Sequence, residues 1–125
     1  MNGSDEYAIY LRKSRADIEQ EKYHNNLDTL SRHEKSLKNL SAANGYNVTK
    51  IYREVVSGET ISERKEMQHL IADITANKYK GVLIIELSRL TRGDKIDQGH
   101  VHNVFKYTNT LAITPEKVYD LSNEK

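Results

Sequence analysis

The apolar positions of this chain change period along its length. Tyr7 to Leu11 form a short apolar run that reads as a strand over residues 6–11. From Asp28, a capping residue, to about residue 44, Leu30, His33, Leu37 and Leu40 recur at spacings of three and four. That is the inward stripe of a helix, and Asn44-Gly45 supplies its stop. Residues 46–54 read as a second strand, with Val48 and Ile51 as its apolar content. Ser62, with Glu63 in the first turn, opens a helix to about Asn77 whose buried face is Met67, Leu70, Ile71 and Ile74. Gly81 to Leu87 is the most hydrophobic run, as expected of a central strand covered on both faces. A helix over about 94–108 and a short strand, Leu111-Ala112-Ile113, complete the pattern before Pro115. Residues 15–26 read as a mobile loop or a frayed first helical turn, and residues 55–62 and 88–93 as loops.

Strands alternating with helices predict an α/β domain. The expected architecture is a mostly parallel central sheet of four or five strands with helices on both faces. The 125 residues fit a single domain, with residues 1–5 a loose end or tag remnant.

Composition narrows the function classes. The chain is 37% hydrophobic and 30% charged, and no run approaches the ~20 apolar residues of a membrane helix. The N-terminus shows no secretory pattern, so a cytoplasmic protein is expected. With no cysteine, disulfides and thiolate metal sites are excluded. His100 and His102, two apart on a helix, do not share a face, so no metal site is assigned there and no cofactor is expected. A net charge of +1 gives no support for a nucleic-acid binder, so any electrostatic case must come from local placement. Arg12, Arg64, Arg89 and Arg92 fall where strands end or helices open. Arginine's planar fork matches phosphate oxygens as lysine's ammonium does not.

Ser14 is the nucleophile candidate. Tyr10 and Arg12 precede it at spacings of two, which on a strand is one side. No Gly-x-Ser-x-Gly elbow or His/Asp pairing surrounds it, so a hydrolase triad is not indicated. Positive charge surrounds it instead, suited to a phosphodiester. A simpler reading stands beside each choice. Ser14-Arg15-Ala16-Asp17 matches a helix capping box. Tyr10 could be core packing, Ser57-Gly58 a turn, and Arg64, Arg89 and Arg92 solvated. A phosphate-binding domain with Ser14 as a mere cap would want glycines after the first strand, and residues 12–20 contain none.

Taken together, Tyr-Leu-Arg-Lys-Ser (10–14), Val-Ser-Gly-Glu (56–59) and Glu-Arg-Lys-Glu-Met-Gln-His-Leu (63–70) resemble segments of the serine recombinases. So do Glu-Leu-Ser-Arg-Leu-Thr-Arg-Gly-Asp (86–94), Ile-Asp-Gln-Gly (96–99) and Asn-Thr-Leu-Ala-Ile-Thr-Pro (109–115). The resemblance is to the resolvase/invertase-type catalytic domain at the front of large serine recombinases, and it spans residues 7 to 124. It implies a bacterial or phage enzyme for site-specific DNA recombination, joining Ser14 covalently to a 5′-phosphate of double-stranded DNA. Arg12, Arg89 and Arg92 would contact the scissile phosphate, with Tyr10 beside the nucleophile. Arg64 would join them once residues 55–63 order, and Ser57 matches a polar family position. His33 stands where the family often has glutamine, on a helix face expected to look toward the site. Ser88 stands where the family often has aspartate. The resemblance also implies a homodimer and a synaptic tetramer in a full-length protein. The long dimer helix and the DNA-binding domains are expected to lie outside this chain, which alone should not recombine DNA. A catalytically silent DNA- or protein-interaction module on the same fold is the alternative.

Overall fold

The computed structural model describes residues 5–13, 19, 29–55, 64–86 and 95–121. Five strands form one sheet: β1 (Glu6–Lys13), β2 (Asn47–Val55), β3 (Gly81–Leu83), β4 (Leu111–Ile113) and β5 (Val118–Tyr119). Among the described residues the helices α1 (Thr29–Asn44), α2 (Lys65–Thr75) and α3 (Lys95–Thr108) lie between them. The strand order is β2-β1-β3-β4-β5, and only the β4–β5 pair is antiparallel. This is the mostly parallel α/β sheet expected from the alternation of periods.

Alternation along β1 sorts its side chains between two cores. Ala8 and Tyr10 join Tyr52, Met67, Leu70, Ile74, Val82, Val101 and Phe105 beneath α2 and α3. Ile9 and Leu11 join Leu30, Leu37, Leu83 and Ile113 beneath α1. Helices therefore cover both faces. Val82 and Leu83 divide between the same two cores, so β3, central in the order, is buried on both sides as its composition requires.

The three described helices end alike. Gly45, Asn77 and Asn109 have φ of 71°, 59° and 55°, the left-handed region that glycine and asparagine tolerate best. The next amide then reaches back to the last turn: Tyr46 N–H to Ser41 O, Lys78 N–H to Asp73 O and Thr110 N–H to Phe105 O, at 3.0, 3.1 and 3.0 Å. Each helix is thus turned directly into the strand or turn that follows.

Three expectations need correction. β1 runs two residues past its predicted end, to Lys13, because β2 pairs with it along its whole length. β3 stops at Leu83, although Ile84 N–H still donates to Ile113 O at 2.8 Å. β5 was not foreseen, since two residues carry no period. It forms because Thr114 folds the chain back, its amide and hydroxyl both donating to Lys117 O at 2.9 Å.

Candidate active site

Parallel strands in register place their side chains side by side. Tyr10 pairs with Tyr52 and Arg12 with Glu54, at the C-terminal ends of β1 and β2. All four residues are buried. The Tyr10 hydroxyl donates to Glu54 Oε1 at 2.9 Å. The same carboxylate receives the first turn of α2: Glu66 N–H reaches Oε2 and Met67 N–H reaches Oε1, both at 2.9 Å. A helix's first amides have no partner within the helix, and here a neighbouring strand satisfies two of them. Ser62 was expected to open this helix. Instead the N-cap residue is Arg64, which makes no side-chain cap bond, because Glu54 supplies the cap.

That capping brings Arg64 into the site. Its side chain is fully buried, and Arg12 is only 1% exposed. Nε, Nη1 and Nη2 of Arg12 and Nε of Arg64 are all shielded from solvent. The Tyr10 phenol is held far above its ordinary ionisation range, chiefly by burial and then by the charge and hydrogen bond of Glu54. The positive charges of Arg64 and Arg12 oppose that rise. Tyr10 is therefore held as a protonated donor to Glu54.

Of the sequence-predicted site residues, the fold gathers Tyr10, Arg12 and Arg64. Arg64 and Arg12 both lie near enough to Tyr10 for their charges to act on its phenol. Ser14 follows β1 directly but falls outside the described residues, as do Ser57, Ser88, Arg89 and Arg92. His33 lies half-buried on α1, whose stripe packs on the Ile9–Leu11 face of the sheet.

Sequence reasoning missed Glu54. The available signal was its phase with Tyr52, two residues earlier on the same face and just before a polar loop. It also missed a second polar cluster on this face. The Tyr52 hydroxyl donates to Asp73 Oδ2 and lies 2.7 Å from the Tyr79 hydroxyl. The two rings meet edge to face, 6.2 Å between centroids. Burial first, then these bonds, push the Tyr52 phenol far above its ordinary range. A groove of about 620 Å³ along the outer side of β2, lined by Lys38, Tyr46, Lys50 and Arg53 among others, shares no residue with the arginine cluster.

These features define a parallel α/β domain with buried arginines beside the C-terminal end of an inner strand, where open α/β sheets carry their chemistry. The family described as Resolvase, N terminal domain, matches residues 7–110, and the chain belongs to that family. Among solved structures it is similar to the N-terminal catalytic domain of TP901-1 integrase, at 25% identity and a TM-score of 0.69 over 89% of this chain and 77% of that one. It shares its fold with the C-terminal catalytic domain of ISC1926 TnpA, an IS607-like serine recombinase. That match has 23% identity and a TM-score of 0.67, over 87% of this chain and 68% of that one. A resolvase family site-specific recombinase from Streptococcus pneumoniae also has this fold, at 21% identity and a TM-score of 0.65, over 96% of this chain and 79% of that one.

Proposed function

We propose that this chain is the catalytic domain of a serine recombinase that cuts and rejoins double-stranded DNA through Ser14. The observation that carries the reading is the convergence of Arg12 and Arg64, far apart in sequence, in one buried cluster at the end of the strand that leads into Ser14. In this reading Ser14 Oγ attacks a scissile phosphorus. The Oγ–P bond forms, the bond from phosphorus to the 3′ oxygen breaks, and the leaving oxygen takes a proton. One phosphodiester replaces another, so rejoining to a partner strand requires neither ATP nor metal. Guanidinium groups stabilise the charge that builds on the non-bridging oxygens, usually the largest catalytic contribution. Arg12 and Arg64 have that role, joined by Arg89 and Arg92, with Ser57 in support. His33 has no assigned role in the chemistry.

The domain acts within a longer cytoplasmic protein of phage or mobile-element origin, which pairs as a homodimer and a synaptic tetramer on its DNA sites. Among the described residues no helix is long and apolar enough to cross a membrane. The test uses the whole recombinase and a nicked suicide DNA site. A covalent protein–DNA adduct should form, vanish in Ser14→Ala and persist in Ser57→Ala. An undiminished adduct in Ser14→Ala would sink the assignment. No adduct from the unaltered protein would favour a silent interaction module.

A further inference from the structure

We propose that Tyr52, Asp73 and Tyr79 form a positioning device that sets where α2, and with it Arg64, stands against the sheet. The proposal rests on the recombinase reading for the purpose of the device, but not for its mechanics. α2 packs through Met67, Leu70 and Ile74, all fully buried. Apolar burial is non-directional and fixes slide and tilt only loosely. Directional contacts reach α2 at both ends, and both come from the same face of β2. Glu54 takes the amides of the first turn. Tyr52, two residues earlier, takes Asp73 in the last turn.

The Tyr52 hydroxyl has one proton, and the carboxylate can only accept at neutral pH. Tyr52 therefore donates to Asp73, and Tyr79 donates to Tyr52 across 2.7 Å. Tyr79 stands just before β3, so strand, helix end and the entry to the central strand meet at one buried oxygen. Lys50 Nζ also approaches Asp73, at 3.9 Å, but both side chains are partly solvated and that pair holds the helix weakly. Arg64 lies nine residues from Asp73, about 14 Å along a rigid helix. A tilt released at Asp73 therefore moves the guanidinium, and a displacement of ~1 Å in a catalytic group can cost up to ~100-fold in rate. Tyr52 and Asp73 are positioning residues in this account, acting through Arg64.

The experiment is amide hydrogen exchange on this 125-residue chain, comparing the unaltered protein with Tyr52→Phe. Exchange at Glu66 and Met67, at the far end of α2, should rise about tenfold, while Leu37 in α1 stays unchanged. A rise confined to the last turn of α2, or a uniform rise that includes Leu37, would overturn the proposal. If Tyr52→Phe does not fold, Asp73→Asn and Tyr79→Phe are judged by the same criteria, and unfolding of all three would also overturn it. In the whole recombinase, Tyr52→Phe should slow adduct formation about tenfold at unchanged DNA affinity, yet add nothing in an Arg64→Ala background. Equal slowing in both backgrounds would overturn positioning through Arg64. An adduct indifferent to Ser14→Ala would instead remove the recombinase reading and leave the exchange result standing.

Discussion

Arg12 and Glu54 stand at the same level on adjacent parallel strands, and both are buried. The Glu54 carboxylate also caps the helix that follows Arg64. One acidic residue therefore ties Tyr10 of β1 to the first turn of α2.

Removing that residue should be severe. Glu54→Ala leaves the buried Tyr10 hydroxyl without its acceptor and uncaps α2 at two amides, so a loss of ~2–4 kcal/mol is expected, read by urea denaturation. Glu54→Gln keeps an acceptor for one or both amides and should lose less. Equal stability of the alanine variant and the unaltered protein would contradict the hub described for Glu54.

Two buried phenols contribute to stability on the alkaline side. Both are raised from 10.0 in the folded chain, Tyr10 by burial and Glu54, Tyr52 by burial and its bonds to Asp73 and Tyr79. The folded state then keeps protons that the unfolded state releases. The stability they contribute is full below pH 10 and falls as pH rises above it. Tyr10→Phe and Tyr52→Phe should each flatten that fall, measured as unfolding free energy between pH 9 and 11. At neutral pH Tyr10→Phe should cost ~1–2 kcal/mol for the lost bond to a buried carboxylate.

Glu34 governs the acid side on the opposite face. Lys38 Nζ lies 2.9 Å from its Oε2, and Arg53 Nε donates to its Oε1 at 3.0 Å. The Lys38 bond first, then Arg53, hold its carboxyl below the ordinary range. A lowered folded pKa gives stability that is present above the unfolded pKa and lost as pH falls through the folded one. Lys38 and Arg53 are half-exposed, so Glu34→Gln should cost only ~0.5 kcal/mol at pH 7 and nothing at pH 2. A thermal-melt comparison at the two pH values checks this.

Gly81 has no room for a side chain. A Cβ there would lie 2.9 Å from Ile113 Cδ1 and 3.1 Å from Tyr7 Cε2. Gly81→Ala should destabilise by ~1–3 kcal/mol. Because the nearest atom is the tip of a flexible chain, Ile113→Val should recover part of that loss in the double variant. A double variant less stable than the sum of the singles would refute the stated contact.

The architecture was legible in the sequence because period follows from geometry. Leu30, Leu37 and Leu40 could line only a helix face, and Gly81–Leu83 needed cover on both sides. Tyr10 and Arg12 shared a side of β1 as their spacing required. Glu54 was not legible, since an acid near a strand's end reads as solvated until the neighbouring strand and helix are in place. The phase of Leu30 and Leu37 on α1 was read correctly, but phase does not say which face of the sheet a helix covers.

The sequence by itself determined the α/β class and the stop of α1 at Gly45. Each of these depends on residues within a few positions of one another. The tertiary structure alone decided that Glu54 joins Tyr10 to the first turn of α2, and that Tyr52 holds the far end of α2 through Asp73. Those contacts join residues separated along the chain by whole elements. They exist only once β1 and β2 pair in register and α2 lies across them, because a buried charge must find its partner in space.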